Sequence, residues 1–171
     1  MPAALQDKGG WESREVVDAY VHFADTCFKE FGDLVYHWFT FNEPLGPILG
    51  SYLEDFHYPN IIDFKRGAQA AHFTILAHAK AIATHKKHKL TSKIGVILNL
   101  SPTFPRSQNP ADVKAAEIAD LFYVLSFLDP MVKGAYPKKL IDLLKEYDQL
   151  PVDYTEEDLA CIKENTAQIL G

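Results

Sequence analysis

Two apolar stretches of the chain have the length and composition of buried β-strands. The first runs from Leu34 to Pro44 as LVYHWFTFNEP, and the second runs from Lys93 to Leu100 as KIGVILNL. Runs rich in valine, isoleucine and aromatic residues are typical of parallel strands that are covered on both faces. Because Pro44 lacks an N–H and disfavours helical backbone in the residue before it, we predict that the first strand ends there, with Glu43 extended.

The segments around these strands repeat apolar residues at helical spacing. We predict a first helix over Ser13–Phe31, with Ser13 as its cap, and a second helix over Asp63–His88. A third helix is predicted over Asn109–Phe127, and Asp129 and Pro130 should end it. A fourth helix should begin near Pro137, and a fifth should follow the cap Thr155. The predicted buried face of the first helix consists of Val16, Tyr20, Phe23, Ala24, Cys27 and Phe31. Gly46–Asn60 is predicted to be a long aromatic loop that packs over a site, and Ile169 and Leu170 hint at a further strand.

The order of elements predicts the fold class. Alternation of strands and helices favours an α/β fold whose parallel strands are covered by helices. Two strands and a stub cannot close a barrel, and each would present an unpaired edge. A complete (β/α)8 TIM barrel typically takes about 250 residues. We therefore expect residues 1–171 to form a single incomplete TIM-barrel segment that holds central βα units only.

Composition and charge narrow the functional classes. The chain is 47% hydrophobic and 23% charged, which is ordinary for a soluble globular protein, and its net charge of -6 argues against a nucleic-acid partner. It shows no signal peptide at Met1 and no apolar run long enough to span a membrane. Cys27 and Cys161 form no disulfide framework or metal spacing. We expect a cytoplasmic location and no membrane partner.

Polar side chains stand where both predicted strands end, the edge where α/β folds bind ligands. Glu43 is the leading candidate for general acid/base catalysis, and the alternative is an exposed loop carboxylate or an ion-pair partner. Asn42 has the chemistry to hydrogen-bond a hydroxyl of a bound polyol, or else it is a turn-forming side chain beside a proline. Asn99 is equally compatible with a structural and a ligand-binding role.

The histidines of the second predicted helix raise the hypothesis of a metal site. They are His72, His78, His85 and His88. No carboxylate follows them in the zinc-protease pattern, so we reject a metal and expect a solvated helix face. A glycine-rich phosphate loop and a nucleophile arrangement of Ser, Cys and His are also lacking, and no cofactor is predicted.

Six segments along the chain carry a resemblance to a known family. Thr40-Phe41-Asn42-Glu43-Pro44 resembles the acid/base signature of family-one glycoside hydrolases, the β-glucosidase family on a (β/α)8 barrel. The other matching segments are Leu5–Trp11, the first helix with Phe28, Phe31 and Gly32, Lys93–Leu100 with Gly134–Pro137, and Ile162–Asn165. The resemblance covers essentially the whole chain and implies that it runs from the third barrel helix to the start of the sixth strand.

Two further segments are similar to the bacterial 6-phospho-β-glucosidase branch of that family. They are Tyr52–Pro59 and Asn109–Glu117, and the Ala-Pro-Gly element that often follows NEP in ordinary β-glucosidases is not seen. The implied substrate is a β-glucoside phosphorylated on the sugar's 6-position. The phosphate-binding loop of that branch follows the eighth strand, which these 171 residues do not include.

The resemblance also implies a mechanism and roles for the candidate residues. Retaining hydrolysis uses two carboxylates about 5–5.5 Å apart, one as acid/base and one as nucleophile. Glu43 would be the acid/base, Asn42 would bind the 2-hydroxyl, and Asn99 would lie near the leaving group. The nucleophile belongs in a Thr-Glu-Asn-Gly segment on the seventh strand, and the chain contains none. We therefore expect a hydrolase segment that is inactive alone; the alternative is a non-catalytic half-barrel that self-associates or assembles with a complementary barrel chain.

Overall fold

The computed structural model describes all residues from Met1 to Gly171. The α-helices are α1 (Ala3–Gln6), α2 (Arg14–Phe31), α3 (Leu45–Tyr52), α4 (Phe64–Lys87), α5 (Pro110–Asp120), α6 (Ser126–Leu128), α7 (Lys138–Glu146) and α8 (Glu156–Glu164). The strands are β1 (His37–Asn42), β2 (Lys93–Ile97) and β3 (Ile169–Leu170). A 3₁₀ turn covers Gly10–Glu12, and π turns cover Leu121–Leu125 and Asp129–Lys133.

The three strands form one parallel sheet in the order β1-β2-β3. His37 lies opposite Lys93, and Gly95 lies opposite Ile169. The predicted parallel βα arrangement is confirmed, as is the third strand. Because all strands run in the same direction, their carboxyl ends share one edge of the sheet, which brings the ends of β1 and β2 together.

Helices cover one face of this sheet and leave the other face open. Ile94 and Val96 of β2 are buried against α4, whereas Phe39 of β1 is exposed on the opposite face. The prediction that the first strand is buried on both faces is wrong, and its first predicted residues Leu34 and Tyr36 are 75% and 84% exposed. The cause is geometric, since α4 covers one face of the sheet and Phe39 lies on the other.

Helix α4 is the centre of the core. Fifteen of its 24 residues are buried, on nearly every side of the helix. His72, His78 and His85 are among them, so the predicted solvated histidine face is wrong. The imidazole rings are buried because each has a polar partner: Tyr136 and Asp158 for His72, Thr40 and Met131 for His78, and Ser92 for His85.

Helix α2 packs on α4 through only part of the predicted face, of which Val16 and Ala24 are buried as expected. Its buried residues are Val16, Val17, Ala24 and Phe28. Phe23 and Phe31, which were assigned to the buried face, are 63% and 52% exposed. Apolar residues occur on two sides of this helix, so periodicity alone selects the wrong mixture. Ser13 occupies the N-cap position, but its side chain makes no capping hydrogen bond.

Two predicted irregular regions are helical. The first half of the expected Gly46–Asn60 loop belongs to α3, which buries Ile48 and Tyr52 in the main core. The third predicted helix does not stop at Pro130, because a π turn carries the chain past the proline and buries it. Gly134, at φ 78°, ends that turn in the left-handed conformation that glycine adopts without strain. None of the eight helices has the length and apolar composition of a membrane-spanning segment.

Candidate active site

Glu43 lies directly after β1, at the carboxyl edge of the sheet, with an exposed side chain. Its backbone is left-handed, with φ 47°, so the predicted extended conformation is wrong. The reason is that α3 begins only two residues later, and a left-handed residue turns the chain abruptly from strand to helix. Its N–H donates to the carbonyl of Ile97 at 2.9 Å, which fixes the turn to the end of β2.

A β-bulge precedes this turn. Three steps along β1, from Phe39 to Asn42, lie opposite two steps along β2, from Gly95 to Ile97. The extra residue increases the local twist and changes which side of the sheet the following residues face. Bulges and left-handed non-glycine residues are both enriched at functional sites, and here both occur within four residues of each other.

A cavity of about 120 Å³ opens beside Glu43. Asn99 lines the same cavity, so the structure brings together two of the three predicted site residues. Ser101 and Tyr123 add hydroxyl groups to the lining, and the other lining residues are Pro44, Leu45, Gly46, Leu49, Leu98, Leu100, Val124 and Phe127. Asn42 is exposed next to Glu43 but is not part of this lining. The arrangement places one carboxylate, one amide and two hydroxyls around a small space, which suits binding and protonation of an oxygen-rich ligand.

Two of the lining residues were not identified from the sequence. Tyr123 comes from the π turn Leu121–Leu125, and Ser101 follows β2. A π turn has no recognisable pattern in the sequence of this chain, so its tyrosine could not be assigned to the site. Ser101 follows Asn99 by two residues after a predicted strand end, and that position was the available signal.

The chain offers no evident metal centre. No group of three or more His, Cys, Asp and Glu side chains is arranged to hold a metal ion. Cys27 and Cys161 are both free thiols.

A cluster of ion pairs lies elsewhere in the structure, around Arg14. The Arg14 guanidinium donates to both oxygens of Asp153, at 2.6 Å each, and to both oxygens of Asp158, at 2.9 and 2.6 Å. His72 Nε2 lies 3.3 Å from Asp158 Oδ2, and His72 Nδ1 lies 2.9 Å from the Tyr136 hydroxyl. We call these five residues the Arg14 network. It joins α2, α4 and α8 and shares no residue with the cavity beside Glu43.

The Arg14 network shifts the protonation of its members. Burial tends to raise the pKa of Asp158, but hydrogen bonds from Arg14, His72 and Thr155 overcome it and hold that pKa well below its usual range. Burial lowers the pKa of His72, against the opposing effect of Asp158. Asp158 also completes a capping box with Thr155 at the start of α8, which confirms the predicted Thr155 cap. The sequence indicated Asp158 only as an acidic residue of a first turn.

Comparisons with known proteins decide the family. The model of the family described as Glycosyl hydrolase family 1 matches residues 1–171. The chain belongs to this family. It is 56% identical over all of its 171 residues to 6-phospho-beta-glucosidase GmuD of Bacillus subtilis (strain 168), of which it covers 37%. It is 37% identical over 139 residues to aryl-phospho-beta-D-glucosidase BglC of the same strain, matching 81% of this chain and 29% of that protein.

Solved structures of the family contain the same fold. The crystal structure of the GH1 beta-glucosidase from Exiguobacterium antarcticum B7 matches with a TM-score of 0.91 at 32% identity, over 100% of this chain and 38% of that one. The family-one β-glucosidase from Thermotoga maritima matches with a TM-score of 0.86 at 32% identity, over 97% and 37%. The family and the partial TIM-barrel fold expected from the resemblance are confirmed. The chain thus spans little more than a third of the length of these family-one enzymes.

Proposed function

We propose that this chain supplies the acid/base half of the active site of a retaining β-glycosidase that hydrolyses 6-phospho-β-glucosides in the cytoplasm. The observation that carries the proposal is the position of Glu43, in a strained turn at the carboxyl edge of the sheet and beside a cavity that it shares with Asn99. The phosphorylated substrate is supported by the names of two relatives, a 6-phospho-beta-glucosidase and an aryl-phospho-beta-D-glucosidase.

In this mechanism each candidate residue has one task. Glu43 protonates the glycosidic oxygen as the leaving group departs and then removes a proton from the attacking water. Asn42, one residue earlier, binds the 2-hydroxyl of the sugar from outside the cavity. Asn99 contacts the leaving-group side, where it lines the cavity together with Glu43. No bound metal or cofactor is needed for these steps.

The chain alone lacks the second carboxylate that a retaining mechanism requires. Glu43 is the single carboxylate in the lining of the cavity. Glu54 and Asp55 follow α3, and Asp63 is occupied as the N-cap of α4, where it accepts a hydrogen bond from the Arg66 N–H. We therefore propose that the nucleophile comes from a part of the barrel outside these residues, and that the isolated chain has no appreciable hydrolase activity.

A chimeric enzyme tests this proposal. The 171 residues would replace the matching 37% of GmuD, and turnover of nitrophenyl 6-phospho-β-glucoside would be measured. We expect an active chimera, and Glu43→Gln should lower kcat by about 10²–10⁴-fold, the usual contribution of general acid/base catalysis. Glu54→Gln is the matched control, because Glu54 is an exposed carboxylate outside the cavity. Full activity of the Glu43→Gln chimera, or turnover by the isolated chain, would refute the proposal.

A second candidate function follows from the exposed apolar surface. Phe39 is exposed on the open face of β1, Leu34 and Tyr36 are exposed in the segment just before it, and Phe23 and Phe31 are exposed on α2. Such surfaces favour self-association or docking onto a complementary barrel chain. Light scattering after size-exclusion chromatography tests this alternative at several concentrations. A stable monomer over the whole range would exclude self-association, and addition of the separately expressed remainder of GmuD would then test complementary assembly.

A further inference from the structure

A buried histidine connects the bulge of β1 with the helix that lines the cavity. His78, in α4, is 1% exposed. Its Nδ1 lies 2.6 Å from the hydroxyl of Thr40 in the bulge, and its Nε2 lies 3.4 Å from the carbonyl of Met131 in the π turn Asp129–Lys133. Met131 belongs to the continuous helical segment Leu121–Lys133. This segment also provides Tyr123 and Phe127 to the cavity beside Glu43. One side chain thus contacts both segments that border the candidate site.

The contact with Met131 favours one direction for the hydrogen bond between His78 and Thr40, because a neutral imidazole has a single N–H. A carbonyl only accepts, so the contact with Met131 requires a proton on Nε2. Burial lowers the pKa of His78 to about 4, so the ring is neutral at pH 7 and carries a single N–H. Nδ1 is then an acceptor, and the Thr40 hydroxyl donates to it. The carbonyl of Gly95, 3.1 Å from the same hydroxyl, is the competing acceptor.

The bulge is the place where the direction of Glu43 is decided. Side chains alternate between the two faces of a strand, so loss of the extra residue from the ladder would shift the following residues to the opposite face. Asn42 pairs with Ile97 in the bulged register, and the Glu43 N–H reaches the Ile97 carbonyl. Thr40 is in the bulged segment, between Phe39 and Asn42. Anchoring Thr40 therefore anchors the register of Asn42 and Glu43.

We propose that His78 is a positioning residue for Glu43, acting through its hydrogen bond to Thr40 to hold β1 in the bulged register. The catalytic consequence rests on the proposed function of Glu43, whereas the register itself does not. His78 touches no substrate in this role, and Met131 orients the imidazole so that Nδ1 faces the strand.

Two pairs of variants separate this role from simple filling of the core. His78→Asn keeps a polar atom near the position of Nδ1, facing Thr40, while His78→Gln keeps an N–H near Nε2, facing Met131. Thr40→Val removes the hydroxyl at nearly constant volume, and Thr40→Ser retains it. His85→Asn is the control on the same helix, because His85 is also buried but bonds Ser92 instead of β1.

The first measurement is hydrogen exchange of the Glu43 amide in the 171-residue chain, relative to buried amides of α4. We expect His78→Gln and Thr40→Val to accelerate this exchange about tenfold, as loss of one anchoring hydrogen bond permits local opening. His78→Asn, Thr40→Ser and His85→Asn should stay within about threefold of the parent chain. If the Glu43 amide exchanges no faster in Thr40→Val than in the parent chain, the proposal is overturned. The same holds if the Glu43 amide stays protected from exchange in His78→Gln but loses its protection in His78→Asn. If a histidine variant does not fold, the Thr40 pair decides alone.

The second measurement is kinetic and uses the GmuD chimera. We expect Thr40→Val and His78→Gln to lower kcat about tenfold and to change KM by less than about threefold, because misplacement of the acid affects the transition state and not binding. A chimera that is inactive without any substitution would refute the proposed function, and the exchange experiment would still decide the role of His78. If a Thr40→Val or His78→Gln variant exchanges its Glu43 amide faster but has a normal kcat in the active chimera, the positioning role is refuted.

Discussion

The Arg14 network and the turn at Glu43 are the two most unusual regions of the molecule, and they are unusual in opposite ways. In the network, buried or half-buried side chains satisfy one another, and the pKa values of Asp158 and His72 are shifted down. At the turn, Glu43 is exposed and does not belong to any of the ion pairs of the chain, but its backbone is left-handed.

The difference shows that shifted titration and function need not coincide. Strongly perturbed pKa values are often used to locate active sites, but paired structural charges also produce them. The shifts of Asp158 and His72 occur where α2, α4 and α8 are tied together, and neither residue lines the cavity. The candidate site is marked by backbone strain, a bulge and its position on the carboxyl edge of the sheet. If this contrast is real, substitutions in the two regions must affect different properties.

The largest effect is expected from Asp158→Ala. This change leaves Arg14 and His72 without their shared carboxylate, in a site where Asp158 itself is 4% exposed. We expect a loss of about 3 kcal/mol in the free energy of unfolding, at the low end for a broken buried pair because Arg14 is partly exposed. Glu43→Gln should change that free energy by less than about 0.5 kcal/mol. Urea unfolding of both variants measures the contrast, and equal costs would contradict it.

Acidification should act on the buried titratable groups of the interior. His78 has a folded pKa of about 4 because of its burial, and His72 and Asp158 are also shifted down. A group with a depressed folded pKa binds more protons when unfolded, so its contribution is present above the unfolded pKa and is lost as the pH falls. For His78 the loss begins near the ordinary pKa of about 6.5 and reaches about 2 kcal/mol at pH 5.

Chemical unfolding at pH 7 and pH 5 measures this slope. His78→Asn cannot titrate in this range and should remove about 2 kcal/mol of the difference between the two pH values. A parent chain that is equally stable at both pH values would show that His78 is not held neutral by the core.

Sequence reasoning succeeded where a single local pattern decides the structure. The parallel βα order, the Asn109 and Thr155 caps and the strand at Ile169 are each fixed by nearby residues. The edge that bears Glu43 and Asn99 follows from strand direction alone. The Thr40–Pro44 motif identified the family, which the comparison with the family model confirms.

Prediction from the sequence failed where tertiary contacts decide between local alternatives. The histidines of α4 look polar in the sequence, but His72 and His78 are buried because partners from distant segments, Asp158 and Met131, meet their rings. The left-handed Glu43 contradicts the preference imposed by Pro44, because the start of α3 and the bond to Ile97 fix the turn. The open face of β1 was missed because a strand pattern predicts burial without saying whether a covering layer is present.

A smaller effect should separate the capping residues at the two ends of the network. Thr155 accepts a hydrogen bond from the Asp158 N–H, whereas Ser13, which precedes Arg14, makes no such bond. We expect Thr155→Ala to cost about 1 kcal/mol of unfolding free energy and Ser13→Ala to cost less than about 0.3 kcal/mol. Thermal unfolding of the two variants in parallel provides the measurement. A larger cost for Ser13→Ala would mean that the capping bond is not what stabilises these helix starts.

The smallest expected effect tests whether the turn at Glu43 is strained. Glycine adopts positive φ freely, so Glu43→Gly should relieve the turn and raise the unfolding free energy by about 0.5 kcal/mol, after subtraction of the greater freedom of glycine in the unfolded chain. Glu54→Gly is the matched control, since Glu54 is an exposed glutamate outside the set of positive-φ residues, and it should lower the unfolding free energy instead. Lys89→Gly, at φ 54°, should behave like Glu43→Gly.

The stability and the activity of Glu43→Gly together show what the side chain is for. If Glu43→Gly is more stable than the parent chain and inactive in the GmuD chimera, then the chain has a carboxylate at a position where stability favours glycine. That is the pattern of a residue kept for its chemistry. Destabilisation by Glu43→Gly would instead show that the side chain supports the turn, and the contrast with the Arg14 network would no longer hold.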